Sequence, residues 1–325
     1  MRALWFRARE QAFLLKQESR LSRLAAYRRP GGDLEGLLAA VRAKNLVLTV
    51  TAGRTGTTYL RHLLALCPET TSQHEPEPSF VLVLRLAQHR PGLARTFLLE
   101  YKLPLIARTP TRNYVETGHL FCKGFLEPLL DLGIVPRLIA LRRDPRAVAT
   151  SLLARRTVPG RGKLGLKYLL HPGDPGVLPL PGWLGLSDYQ LCFWYALEIE
   201  RRQRDYTARF GDMSATCVDI TAEELHDPAR FLAVVEALDL CDDRTDRAAL
   251  LRGHAEISAA THNPRPDDRL LTDLDAQEAA VWAAVAIHDP TLRDRVESRY
   301  ESQRLPSDPG GRRAIGAALG RPGQN

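Results

Sequence analysis

The stretch Leu46-Val47-Leu48-Thr49-Val50-Thr51-Ala52-Gly53-Arg54-Thr55-Gly56-Thr57-Thr58 decides the fold. Its first five residues form a short apolar run of the length and β-branched content of a buried parallel strand. Two glycines then punctuate a turn. Beyond it Leu60, Leu63, Leu64 and Cys67 recur at three- and four-residue spacing, the stripe of a helix that Pro68 closes. A strand running through a Gly-rich turn into a helix is an anion cradle, because unpaired amides at the helix start point towards one spot and the helix dipole favours negative charge there. Gly53, Arg54, Thr55, Gly56, Thr57 and Thr58 are therefore candidate phosphate- or sulfate-binding residues. Arg54 supplies a fixed positive charge, and the Thr57 and Thr58 hydroxyls add donors. No lysine follows Gly56, so the turn departs from the GxxxxGK[ST] loop of nucleotide triphosphatases.

Outward from this motif, strand-like and helix-like segments alternate. Arg137–Leu141 reads as a strand, Asp144-Pro145 opens a helix, Tyr189–Phe210 is helical, Thr216–Ile220 is another strand, and Asp227-Pro228 opens a further helix. A helical stretch is expected near Phe80–Leu99, a short strand at Leu120–Lys123 and a helix around Leu126–Leu132. The segment leading to Gly118 shows no clear pattern. Alternation of this kind predicts an α/β protein of P-loop-like, three-layer type, with a central, mainly parallel sheet flanked by helices.

In the helix after Asp144, the periodicity places Ser151 between Ala147 and Val148 on the inward face, so its hydroxyl needs a partner. One partner is a carbonyl a turn back. The other is an anionic group shared with the arm of Arg143.

The chain has 325 residues, 44% hydrophobic and 26% charged, enough to bury a core of its own. No apolar run reaches the ~20 residues of a spanning helix, and arginines interrupt the N-terminal hydrophobics too often for a secretory leader, so a cytoplasmic protein is expected. Cys67, Cys122, Cys192, Cys217 and Cys241 are odd in number, widely spaced and without a nearby pair of histidines, which reads as free thiols and gives no metal site. The formal net charge of +7 is uneven: residues 1–44 hold ten Lys/Arg against four Asp/Glu, so the remaining body is nearly neutral. Residues 1–44 thus form a basic, helical arm ending near Pro30-Gly31-Gly32. It is expected either to pack on the body through its leucines or to make peripheral contact with an acidic partner or membrane surface through residues 1–29. Residues 45–305 form the main domain, in which the Gly- and Pro-rich segment 157–187 reads as a mobile loop or lid. Residues 306–325 read as a flexible tail.

Taken together, GRTGTT after the first strand and RRDPRAVATS after a later one resemble the sulfotransferases that use 3′-phosphoadenosine 5′-phosphosulfate (PAPS). The wording is closest to the carbohydrate-type branch. VDITAEELHDP, from Cys217 towards Pro228, resembles the family's later strand and its continuation into a helix, so the likeness covers about residues 45–240. It implies that the first motif holds the 5′-phosphosulfate and that Arg143 with Ser151, eight positions on, holds the 3′-phosphate. It further implies sulfuryl transfer from PAPS to a small-molecule or glycan hydroxyl by in-line displacement, releasing 3′,5′-ADP without a metal. Arg54 stands where many relatives have lysine, and arginine does not donate a proton to the leaving group. Lys123 resembles a lysine that serves some relatives there.

An acceptor hydroxyl needs a base within hydrogen-bond reach. In Ser72-Gln73-His74-Glu75-Pro76-Glu77-Pro78 the resemblance puts Glu75 first, with His74 second because its ordinary pKa near 6.5 suits the task. Glu77, the second carboxylate of the same turn, is a third candidate. The alternatives are a P-loop-type nucleotide phosphotransferase, against which the missing lysine and Mg²⁺ carboxylate count, and a noncatalytic binder of nucleic acid or another anionic surface, against which the near-neutral body counts.

Overall fold

In the computed structural model of the chain, residues 2–25, 33–260 and 273–304 are described, so the expected stop at Pro30-Gly31-Gly32 and the tail 306–325 lie outside them. Asn45–Val50 is β1, the central strand of a five-stranded parallel sheet. β3 (Asn113–Thr117) lies on one side with Val47 opposite Val115, and β4 (Arg137–Arg142) on the other with Leu48 opposite Leu138. β2 (Thr70–His74) pairs outside β3 and β5 (Cys217–Thr221) outside β4, giving the order β2-β3-β1-β4-β5. The chain passes from β1 to one side of the sheet, then crosses over to the other. The carboxyl end of β1 is therefore a switch point, the place in open α/β sheets where ligands bind between diverging connections.

Alternation along the strands feeds two cores. Leu46, Leu48 and Val50 face one layer, whereas Val47 faces the other with Leu60, Leu63 and Leu64 of α3 (Thr57–Leu64). The first layer holds α2 (Leu34–Arg42), the short helices α4 (Leu84–His89), α5 (Gly92–Phe97), α6 (Leu103–Arg108) and α7 (Leu126–Asp131), then α8 (Pro145–Ala154) and α10 (Asp188–Asp212). α9 (Gly162–Tyr168) lies between those last two in the chain. α11 (Pro228–Ala237) and α12 (Arg247–Ala260) cover the opposite face with α3, while α13 (Leu274–Ala286) and α14 (Leu292–Arg304) complete the described chain. The α/β three-layer expectation holds.

Two local readings are corrected. Leu120–Lys123 is a turn; the strand lies earlier, at Asn113–Thr117, inside the segment that shows no sequence pattern. All five β3 residues are buried although three are polar, because Glu116 pairs with Lys102 at 3.0 Å and Asn113 accepts from the Asn45 side chain at 3.0 Å. The stretch Phe80–Leu99 is a broken series of short helical turns rather than one helix. The segment 157–187, read as a loop or lid, is packed against the body in this structure. It contains α9 and buries Leu166, Leu169, Leu170, Leu178 and Leu180, because its apolar residues are spaced for irregular contacts rather than for a repeat.

The N-terminal helix α1 (Arg2–Ala25) lies against this segment and α4. Gln17 is buried and bridges two backbones, donating to Val81 O at 2.8 Å and accepting from Leu86 N at 3.2 Å. Phe6 meets the rings of His171 and Trp183 edge-on. Beneath it, Glu10 Oε1 lies 3.0 Å from His171 Nε2, and the fully buried Arg85 contacts Asp174 and His171.

Candidate active site at the end of the central strand

The turn after β1 takes a left-handed path, with φ of +78° at Gly53, +62° at Arg54 and +89° at Gly56. Gly53 and Gly56 adopt this without cost. Arg54 does not, and a strained non-glycine residue is characteristic of functional turns. Gly56 caps α3 without a side-chain acceptor, so no side chain is spent on the amides of the first helical turn. The turn is held from behind: Thr51 and Thr55 hydroxyls meet at 2.5 Å, Tyr195 OH donates to Ala52 O at 2.9 Å, and Cys122 Sγ donates to Thr51 O at 3.5 Å. Thr57 is buried and Thr58 exposed.

α8 brings the second motif to the same place. Pro145 occupies its first position, while the Asp144 side chain, expected to cap, makes no capping bond. Arg143 Nη1 donates to Arg54 O at 2.6 Å, and Arg54 Nε donates to Ser151 Oγ at 3.0 Å. The buried Ser151 thus meets an arginine of the first motif. Burial, then the charges of Arg155 and Arg143, lower the Arg54 pKa from its ordinary value. The two charge contributions place three guanidinium groups close together at this turn.

The ends of β2 and β3 form the other wall. Glu75 follows β2 directly in a left-handed conformation, φ +47°. Its Oε1 accepts from the backbone N–H of His119 at 3.2 Å and lies 3.5 Å from His119 Nε2. Across the ring, Lys123 Nζ stands 2.7 Å from Nδ1 of His119 and donates to Tyr168 O at 2.5 Å. The His119 ring lies against the cradle itself: a Cβ on Gly53 would stand 2.9 Å from its Cγ. Burial, then Lys123, hold the His119 pKa well below the usual imidazole range, and burial pushes Lys123 down to about 7. A protonated Lys123 has only donors, which leaves Nδ1 as the acceptor and the ring proton on Nε2, facing Glu75.

Of the sequence candidates, Gly53–Thr58, Arg143, Ser151, Glu75 and Lys123 converge on this crevice. Lys123 reaches it through His119 from a turn, not from the strand end expected. His74 sits at the rim with Nδ1 bonded to Thr117 O at 2.6 Å. Glu77 turns away to accept from Ser79 N at 2.9 Å. Sequence reasoning missed His119. Its signal was the Gly118-His119 step after a strand, which was invisible while β3 went unread.

Solved structures similar to this chain are sulfotransferases. They include the sulfotransferase domain from the curacin biosynthetic pathway (15% identity, 79% of this chain and 98% of that one, TM-score 0.45). The mouse sulfotransferase SULT7A1 complexed with PAP shows 12% identity over 81% of this chain and 93% of that one, with a TM-score of 0.43. The sulfotransferase domain of the Synechococcus PCC 7002 olefin synthase shows 16% identity over 75% and 95%, also with a TM-score of 0.43. At such values these likenesses assign no role to any residue here. No protein-family model matches the chain, and no curated protein matches it.

Proposed function

We propose that this chain is a PAPS-dependent sulfotransferase acting on an acceptor hydroxyl of a small molecule or glycan. The observation that carries this reading is the meeting of Arg54 with Ser151 at 3.0 Å, backed by Arg143, beside a helix start that no side chain caps. A kinase-type site has no use for a second, distant Arg/Ser pair, whereas a donor with phosphates at both ends of its ribose needs two anion sites.

PAPS supplies a sulfuryl group on a P–O–S bridge, which an acceptor oxygen displaces in line: the O–S bond forms, the bridging S–O bond breaks, and 3′,5′-ADP leaves. Both glycines of the cradle approach neighbouring side chains so closely that a Cβ would clash, which keeps the turn in its left-handed path, and the charge that develops on the leaving phosphate faces Arg54 and the amides of α3. Arg143 and Ser151 bind and orient the 3′-phosphate side. Glu75 takes the acceptor proton, one of its oxygens being fixed by His119 N and the other left for the hydroxyl. His119 orients Glu75 and shields the crevice, and Lys123 positions His119. His74, the second base candidate, lies farther out with one ring nitrogen committed to the backbone. Cytoplasmic placement is part of the same reading.

Thermal melts with adenosine 3′,5′-bisphosphate (PAP) and with Mg·ATP test the donor class, since a ligand that binds only the folded chain raises its melting temperature. PAP should raise it and Mg·ATP should not; the reverse result overturns the proposal. Transfer of label from PAPS to an acceptor panel tests the reaction itself.

A further inference from the structure

α1 has two apolar faces, and among the described residues only one is packed against the body. Phe6, Glu10, Phe13, Leu14, Gln17 and Leu21 turn towards the body at helical spacing. On the outside, Leu4, Trp5 and Leu15 are 72%, 66% and 57% exposed, with the small residues Ala8 and Ala12 completing the stripe between them. Exposed Arg7, Lys16 and Arg20 flank it, and the Arg9 guanidinium lies 5.0 Å over the Trp5 ring. The carboxylates of α1 do not oppose this charge: Glu10 is buried against His171, and Glu18 is paired with Arg90. α9 extends the surface, because a Cβ on Gly162 would stand 3.6 Å from Arg9 Nη2, and the next two residues, Lys163 and Leu164, are exposed.

We propose that this face docks on an anionic lipid bilayer, with α1 lying in the interfacial plane. Leu4, Trp5 and Leu15 enter the headgroup boundary while Arg7, Lys16 and Arg20 meet lipid phosphates and carboxylates, the division of labour of interfacial helices. Tryptophan suits that depth, having an apolar body and a polar N–H. The helix is anchored from behind by buried contacts, so it does not have to fold on binding. No helix among the described residues is long and apolar enough to cross a membrane, so the contact is peripheral. A second copy of the chain is the poorer occupant, because a two-fold pairing would set this cationic face against itself. The inference does not rest on sulfuryl transfer.

The test is flotation of the full chain with phosphatidylcholine vesicles, with and without phosphatidylserine. Binding should require phosphatidylserine and fall steeply with salt. Lys16→Glu/Arg20→Glu should weaken it at least about tenfold, given ~1 kcal/mol per basic residue near an anionic surface. Leu4→Glu/Trp5→Glu should abolish it, and both variants should keep the wild-type melting temperature because the altered side chains touch solvent. Equal binding to neutral vesicles, or variants that float like wild type, overturns the proposal. So does a concentration-dependent dimer lost in Leu15→Glu, combined with no flotation of wild type, which would make the face a self-association surface.

Discussion

Arg54 and Ser151 are 97 residues apart in the chain, yet the guanidinium Nε of one donates to the hydroxyl of the other at 3.0 Å. The contact joins the turn after β1 to the middle of α8 across the switch point of the sheet. It also holds a strained arginine in a left-handed conformation, with Arg143 gripping its carbonyl.

Ser151→Ala removes that acceptor and, in the proposed function, a donor to the 3′-phosphate. PAP affinity should fall roughly tenfold, the scale of one hydrogen bond to a charged group. Arg143→Ala should cost more, since it removes a charge together with the brace on the turn. Titration calorimetry at fixed low salt measures both, and unchanged affinity in the two variants would remove them from the donor site.

Glu75→Gln keeps the shape of the side chain and loses the proposed base. Turnover should drop by about 10²- to 10⁴-fold with little change in PAP binding. His119→Gln should reduce turnover by a similar factor, and the double variant should lose much less than the product of the two, because in the proposed mechanism His119 acts through Glu75. Single-turnover label transfer provides the readout.

Lys123 gives a pH signature. Burial holds its pKa near 7 in the folded chain, below the ~10.4 of an exposed lysine, so between those values the unfolded chain binds more protons. Stability should therefore rise with pH across this window, by up to ~1.4 kcal/mol per unit from this group. Lys123→Met should flatten that rise in urea melts taken at several pH values. A slope that is the same in both proteins would show that Lys123 stays charged.

Arg85 is fully buried between Asp174 and His171, with Glu10 of α1 at 3.7 Å. Arg85→Met strands Asp174 without its cation, and the expected loss is about 3–5 kcal/mol. Adding Asp174→Leu to it should recover part of that loss. Denaturant unfolding compares the two variants, and protease sensitivity of α1 reports whether the arm comes loose.

The sequence alone contained what is local. β1, β4 and β5 are short apolar runs, the glycines of the cradle announce a left-handed turn, and 3.6 residues per turn puts Ser151 on the inward face of its helix, so strand, turn and helix were readable in isolation. Tertiary structure alone decided what depends on partners far along the chain. Asn113–Thr117 is a strand because Lys102 neutralises Glu116 inside the core, a pairing that no hydropathy pattern records. With β3 unread, His119 had no reason to stand beside Glu75. The leucines of 157–187 looked like loop, yet α9 packs on α1 and α4, and Leu178 is bonded to Glu198 and Trp194 of α10. Local periodicity reports which face of an element is apolar, whereas burial of charge and convergence of side chains are set by contacts between elements.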